Sequence, residues 1–443
     1  MLTAALPGAL SMAGNGGAPI ILTHETMSKL SKYTLFVLEY MKKIPDKRTG
    51  KNTMYTVPQL GMTALAAFFS RSNSLRKFLL SLPGFKDDDM NTFFVSLTYG
   101  DKPDGLPRKI PTDNHIRSQL DGVSPRIFFD ALWEMVRDLV AEDKDKDKFK
   151  ISDRTVIIPY MARHYSSESI SCPCCLSKSY ETVRRKAFKV EYFHSLAGFS
   201  LYGEPRMIPQ LPPEFLKAGD YPGMTQGVTF RGSAGDESPE PAFNEVLSRW
   251  NSYNAQKLEA LNPLFILRQG LGNFKAISSL SPGQDFILLL NGETRDLLKR
   301  KVPEIFDLSA GKDGSFADKA PGDKEKADRD YHDVGRKLLE KGFSGIGRKI
   351  WLLPNHRLEK NMAPLMRPEK YQRLVVTSIP PEEWDMDKMS RAVNALSGFN
   401  FQQELKNQGF GLTRNFGHGR ETLCEVMAVL NFLALNLYYL TKY

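Results

Sequence analysis

Cations, amides and glycines crowd into one stretch near the C-terminus. Glu404-Leu405-Lys406-Asn407-Gln408-Gly409-Phe410 is followed by Arg414-Asn415-Phe416-Gly417-His418-Gly419-Arg420, and then by a long apolar run. Donor groups and glycine backbone just ahead of a buried element are how phosphate-handling loops are placed. Arg108-Lys109-Ile110-Pro111-Thr112-Asp113-Asn114-His115-Ile116-Arg117 has the same character. Thr112 or Asp113 can cap a helix there, which puts Asn114, His115 and Arg117 in its first turns. Polar and cationic groups in that position commonly contact phosphates. The candidate phosphate contacts are therefore Lys109, His115, Arg117, Lys406, Arg414, His418 and Arg420. A different chemistry is offered by Cys172 and Cys175, whose C-x-x-C spacing suits half a zinc site. His164, His194 and Cys174 are the nearby residues that could complete it; the alternative is a set of buried free thiols. No glycine-rich nucleotide loop, nucleophile elbow or paired-histidine motif is present, so other enzyme classes have little support.

Composition sets the frame for these groups. With 443 residues the chain is long for one simple core, and two or three domains are expected. Hydrophobic residues are 41% and charged residues 25%, as in an ordinary globular protein. The net charge of +9 suits a polyanionic partner. Four cysteines, three of them clustered, do not make a disulfide scaffold and fit a reducing, cytoplasmic setting. Met1 to Ile21 lacks a cationic start, so no signal peptide is expected. The run Val426 to Leu440 is broken by Asn431 and Asn436 and is shorter than the roughly 20 residues needed to cross a bilayer. It is expected to be a buried core helix rather than a membrane anchor.

The elements that must position the candidate residues follow in chain order. Residues 1–22 are rich in Gly, Ala and Pro and read as a flexible leader. Residues 23–150 are helical. Leu30, Tyr33, Leu35, Val37, Leu38 and Met41 form one apolar stripe, and Leu60, Met62, Leu65, Ala66, Phe68 and Phe69 a second. Pro125 to Val140 gives another helix. Glu142 to Lys150 alternates acid and base, and a domain boundary is placed there. From Arg154 the period changes. Strands are expected at Thr155–Ile158, from Val190 through Leu196 to Tyr202, at Leu264–Leu267, Phe286–Leu290, Ile350–Leu353 and Arg373–Thr377. Helices are expected at Phe243–Leu261, Arg295–Val302 and Met386–Leu396. Residues 212–240 read as a long loop, and 308–333 as a low-complexity surface excursion. The fold class is α+β or α/β, with an N-terminal helical domain before a mixed-sheet domain at 151–443.

Several strings in this order resemble a known family. They are the IP-x-DNHIR string at 110–117, Cys172-Pro173-x-Cys175, Tyr192-x-His194-Ser195, and Leu405-Lys406-Asn407-Gln408-Gly409 leading to Asn415-Phe416-Gly417-His418-Gly419 and a terminal apolar helix. The chain resembles the bacterial insertion-sequence transposases of the acid-triad (DDE) kind, from about residue 30 to 443. The resemblance implies a ribonuclease-H-like domain with a β-rich insertion, preceded by a helical domain for DNA binding or dimerisation. It implies double-stranded DNA as partner, with a homodimer or larger protein complex, and a bacterial, nucleoid-associated location. Such enzymes cut and join DNA with Mg²⁺ held by three carboxylates.

The same resemblance implies that the acids are missing here. Aligned on the aromatic-Ser-Ser string that ends at Ser167, the first Asp position is Tyr160. The second falls where Leu267 runs into Arg268. The Glu should precede Gly398-Phe399-Asn400, where Ala395 is the nearest equivalent. The expectation is a DNA-binding protein that has lost strand cleavage and needs no catalytic cofactor, with a structural zinc at Cys172/Cys175 as the one candidate metal. Two alternatives stand beside it. One is an active, Mg²⁺-dependent transposase whose acids are displaced, with Glu404, Asp285 or Glu293 in their place. The other is a non-enzymatic scaffold or subunit of a larger complex.

Overall fold

The computed structural model describes residues 10–11, 21–22, 24–48, 54–82, 111–141, 148–182, 187–203, 207–217, 228–230, 240–267, 279–281, 284–289, 300, 351–354, 374–379, 383–384, 392, 400–412 and 420–442. It is an α+β structure built on a mixed sheet. The N-terminal part begins with a short antiparallel pair, β1 (Leu10–Ser11) and β2 (Ile21–Leu22). Helices α1 (His24–Met41), α2 (Val57–Phe69), α3 (Leu75–Ser81), α4 (Asp113–Leu120) and α5 (Phe129–Ala141) follow, with a 3-10 turn at Pro125–Phe128.

Local chemistry fixes where these helices start. Thr56 caps α2 through a reciprocal box with Gln59, which satisfies two otherwise orphaned N–H groups. Ser74 caps α3, and Thr112, one of the two residues expected to do so, caps α4 by accepting from the His115 N–H. The buried stripe of α1 is Leu30, Tyr33, Thr34, Val37 and Met41; Leu35, expected in it, lies 49% exposed on the outer face. The reason is helical period, since Leu35 is two residues from both Tyr33 and Val37. α2 is buried almost all round, and Gly61 lets α1 come close: a Cβ there would sit 2.6 Å from Met41 Sδ.

The sheet has strands β3 (Lys150–Ile151), β4 (Arg154–Ser167), β5 (Leu176–Thr182), β6 (Ala187–Leu201), β7 (Gln210–Leu216), β8 (Val228–Phe230), β9 (Pro263–Leu267), β10 (Asp285–Leu289), β11 (Trp351–Pro354) and β12 (Leu374–Thr377). Its path is β11-β12-β10-β9-β4-β6-β5-β8, with β3 on β4 and β7 on β6. β4 and β6 are antiparallel, while β9 runs parallel to β4 and β10 parallel to β9. Helix α6 (Glu240–Glu259) makes the crossover that a parallel return requires. β4 holds one edge of β6, so β5 and β7 share the other: β5 pairs with 187–193 and β7 with 195–200.

β8 and most of β7 fall in the 212–240 stretch expected to be loop. The many Pro, Gly and Asp of that stretch gave the expectation; Pro212 and Pro213 are tolerated in β7 because the β6–β7 register shifts between Ala197 and Phe199, opposite them. Pro212 keeps its carbonyl useful by accepting from Trp250 Nε1 at 2.8 Å. The two expected helices at 295–302 and 386–396 lie outside the described residues except for Arg300 and Ala392, and so does the 308–333 excursion.

Helix α7 (Phe401–Asn407) and helix α8 (Glu421–Lys442) close the structure. α8 packs against α1, α2, α5 and β7, joining the helical part to the sheet in one continuous core. At 22 residues it is longer than its apolar run suggested, and long and apolar enough to cross a membrane, yet that apolar span is wholly buried in the protein. Its two asparagines explain the interruptions. Asn436 exchanges two hydrogen bonds with the Gln210 backbone, at 2.7 and 2.8 Å, and Asn431 donates to the Phe410 carbonyl at 2.8 Å. Each satisfies irregular backbone that water cannot reach.

Candidate metal centre

The position where the first acid was sought is filled, and it lies in the middle of β4 rather than at a strand end. Tyr160 lies in β4 opposite Gly198 of β6, and the absent side chain makes room for the ring: a Cβ on Gly198 would come within 2.2 Å of it. Phe401 of α7 stacks on the other face, with ring centroids 5.2 Å apart. The Tyr160 hydroxyl donates to Gln210 Oε1 at 2.6 Å, and Gln210 in turn donates to Ser200 Oγ at 2.7 Å. Burial drives the phenol pKa far above its ordinary value, so it stays neutral. On the neighbouring strand, Leu264 to Leu267 are all buried apolar residues. Arg268 and Ala395, the other two acid positions, lie outside the described residues.

The acids considered as substitutes are engaged elsewhere. Asp285, at the start of β10, accepts from Arg154 Nε at 2.6 Å and from Ser378 Oγ at 2.8 Å. Glu404, on α7, accepts from Gln408 Nε2 at 3.1 Å. Glu293 lies outside the described residues.

Of the candidate phosphate contacts, Lys109, Arg414 and His418 lie outside the described residues. The other four do not converge on one element. His115 is half-buried in the first turn of α4, 6.3 Å from the Tyr55 ring. Arg117 pairs with Asp113 at 2.9 Å, one turn back. Arg420 pairs with Asp121 at 2.7 Å, next to a latch in which Thr422 donates to Asp121 and accepts from the Gly122 N–H. Lys406 is exposed on α7.

The cysteine turn has a definite partner. Cys172-Pro173-Cys174-Cys175 makes a tight turn leading into β5, closed by Cys175 N–H on the Cys172 carbonyl at 3.1 Å. β5 pairs with β6 so that Leu176 faces Phe193, which carries His194 to the turn. Cys172 Sγ and Cys175 Sγ are 3.3 Å apart, and each is 3.1 Å from His194 Nε2. These three donors could hold a metal ion. His194 was one of the three nearby residues expected to contribute, and it is the one that the sheet brings in.

The other two stand differently. His164 is 1% exposed in β4, at a bulge between Arg163 and Tyr165, with its ring edge-on to that of His194 at 5.7 Å. Neither of its ring nitrogens has a hydrogen-bond partner among the described residues. Burial, then the neighbouring His194, pushes its pKa down to about 3, so it is neutral. Cys174 points instead to Glu421, the first residue of α8, and that hydrogen bond, together with burial, raises its thiol to about 11.

Burial keeps Cys172 and His194 in their neutral forms. Burial and the bond to Cys175 hold the Cys172 thiol up, at about 11. Burial lowers His194, keeping the imidazole in its ligating form. A divalent ion would reverse the thiol balance by favouring thiolate. No protein-family model matches this chain, and no curated protein matches it. Glu421 and Lys217, whose charges both act on His194, are ion-paired, and Lys217 also reaches Glu425 at 3.4 Å. Sequence reasoning missed both, because they come from the end of β7 and the start of α8 and share no local pattern with the cysteines.

Proposed function

We propose that this is a transposase-derived, ribonuclease-H-like DNA-binding protein that has lost metal-dependent strand cleavage and carries a structural zinc at Cys172, Cys175 and His194. The observation that carries the reading is Tyr160: a neutral, fully packed side chain occupies the place of the first catalytic acid. Hard divalent cations need oxygen anions, and this position offers none. The mixed sheet, with antiparallel β4, β6 and β7 followed by a crossover to parallel β9, supports the ribonuclease-H-like assignment that the sequence strings suggest. The β5–β8 excursion with its cysteine turn supports a β-rich insertion. Two thiols and an imidazole are a borderline-soft donor set of the kind zinc takes. The usual Zn–S and Zn–N lengths at tetrahedral angles set two thiolates about 3.8 Å apart and a thiolate and an imidazole about 3.5 Å apart. The observed 3.3 Å and 3.1 Å therefore fit after an outward shift of about half an ångström. Bound zinc would supply no chemistry here beyond cross-linking the turn to β6.

The test is duplex binding by the full chain, followed by fluorescence anisotropy across a salt series, beside a nicking assay with Mg²⁺ or Mn²⁺. Binding that weakens steeply with salt and no nicking is the expected result. Sustained nicking would refute the loss of cleavage, and no binding at low salt would refute the DNA-binding role. In the second case a subunit of a protein complex becomes the better reading. One observation already favours it: Arg117 and Arg420 are held in internal ion pairs.

A further inference from the structure

We propose that Cys172 and Cys175 are a thiol modification site: a small-molecule disulfide of the oxidised-glutathione class converts them to one intrachain disulfide, and a small thiol reverses it. The bridge is independent of the DNA-binding reading. Only its competition with zinc rests on the metal reading above.

Placement carries the inference. The two Sγ atoms are 3.3 Å apart, inside the roughly 3–3.5 Å window from which positioned atoms react. Two backbone bonds hold them there. The Cys175 N–H donates to the Cys172 carbonyl at 3.1 Å, and the Cys172 N–H donates to Cys175 Sγ, also at 3.1 Å. A disulfide bond is about 2.05 Å long, so the sulfurs have roughly 1.2 Å to close. The two differ in access. Cys172 is half-buried, while Cys175 is buried. The outer thiol therefore meets a dissolved oxidant first, and the inner one resolves the adduct. The other two cysteines suit the reaction less. Cys424 is fully buried on α8. Cys174 adjoins Cys175, where a bridge would close a strained ring.

The reaction balances in two exchanges. Cys172, as thiolate, attacks one sulfur of the oxidant RS–SR. The Cys172–S–SR bond forms, and RS⁻ leaves and takes up the proton that Cys172 gave up. Cys175 then attacks the Cys172 sulfur, and the second RS⁻ leaves with the Cys175 proton. Two S–H bonds become one S–S bond, and the oxidant is reduced to two thiols. Burial keeps the Cys172 thiol neutral, so the exchange is slow and proximity acts on its equilibrium. Closing the bridge also changes the site. A disulfide has no S–H, so the two sulfurs now 3.1 Å from His194 Nε2 lose the hydrogens they can share with it. Zinc competes for the same sulfurs, holding them about 3.8 Å apart where the bridge needs about 2.05 Å. The observed 3.3 Å lies between the two. In a reducing setting the disulfide is the transient form.

The experiment equilibrates the full, metal-free chain at stepped ratios of oxidised to reduced glutathione and fixed total glutathione. Free thiols are then blocked by alkylation and the peptides mapped by mass spectrometry. The expected product is one Cys172–Cys175 bridge, reversed by dithiothreitol. The folded chain should be half bridged at a ratio at least about tenfold lower than the same chain in urea, because the fold holds the sulfurs together. Cys174→Ser should bridge like the unchanged protein, and Cys175→Ser should stop at a glutathione adduct on Cys172. An unchanged chain that stays dithiol, or carries only glutathione adducts, overturns the proposal. So does a bridge that uses Cys174, and so do folded and urea-unfolded chains that bridge alike; none of these readings depends on a variant folding. Zn²⁺ bound beforehand should raise the half-bridging ratio at least about tenfold. A ratio indifferent to Zn²⁺ overturns the competition and the zinc reading and leaves the bridge standing, whereas Zn²⁺ uptake without bridging overturns the bridge alone.

Discussion

The rings of Tyr160 and Phe401 are stacked with an interplanar angle of 2°, so a strand residue and the first residue of α7 seal the sheet where the resemblance places an acid. The hydroxyl of the same tyrosine is spent on Gln210, whose backbone is held in turn by Asn436. A metal-binding carboxylate cannot be put back there without dismantling this arrangement. Tyr160→Asp is expected to destabilise the fold by about 3–5 kcal/mol, because it loses the stack and buries an uncompensated charge. It should gain no Mg²⁺-dependent nicking. Tyr160→Phe keeps the stack and orphans only Gln210 Oε1, for about 1–3 kcal/mol. Urea unfolding of the two variants separates these terms.

Asn436 is expected to matter more than Asn431. Asn436→Ala leaves both the N–H and the carbonyl of Gln210 unpaired, while Asn431→Ala leaves only the Phe410 carbonyl. At about 1–3 kcal/mol per orphaned group, the first should cost roughly twice the second. Denaturant midpoints at an unchanged slope would show it; equal losses would mean that packing rather than pairing dominates.

Glu425 gives a pH signature. Burial raises its carboxyl to about 7, against the partial relief of Lys217 and with Glu421 and Glu214 adding to the rise. Between an unfolded value near 4.5 and the folded 7, the folded state binds the proton more tightly. The stability contributed is full below about pH 4.5 and is lost as pH rises through 7, by up to about 3 kcal/mol. Glu425→Gln is expected to flatten that decline in the metal-free chain, leaving it more stable than the parent at pH 8. A parallel pair of pH–stability curves would contradict the assignment.

Much of this frame was legible in the sequence, and the exceptions have physical causes. β4, β6, β9, β10 and β12 were visible as β-branched or apolar runs, because buried strands carry that composition whatever their neighbours. β7 was hidden by Pro212 and Pro213, which only a register shift on β6 accommodates. β5 was missed because Leu176–Thr182 is largely polar. The burial of α8 was readable, while the partners of Asn431 and Asn436 were not, since they depend on which irregular backbone the helix meets. At the metal centre, Cys172 and Cys175 announce themselves by spacing. His194 is 19 residues from Cys175 and joins it only through the β5–β6 register.

Metal removal should register as stability. A ligand bound only by the folded state adds about 2.7 kcal/mol at a hundredfold excess over its dissociation constant. Zn²⁺ is therefore expected to raise the thermal midpoint of the full chain, and a chelator to return it. Cys172→Ser should sit at the chelated value and ignore added Zn²⁺. If Zn²⁺ shifts Cys172→Ser and the parent chain alike, the ion is binding elsewhere.

The last expectation concerns cations already in use. Arg420 is 64% exposed yet tied to Asp121 at 2.7 Å, and surface pairs of this kind contribute only about 0–1 kcal/mol. Asp121→Asn therefore costs little stability from the pair itself and releases a cation beside the 413–420 stretch. If that stretch meets phosphate, the variant should bind duplex DNA more tightly and steepen the salt dependence by about one counterion. Lys406→Ala should do the reverse, uniformly across sequences, because a phosphate contact carries no base preference. Salt-series anisotropy on both variants reads the two slopes. Should neither slope move, duplex DNA does not lie along this part of the protein, and the cationic strings at 406–420 serve contacts within the chain or with another protein.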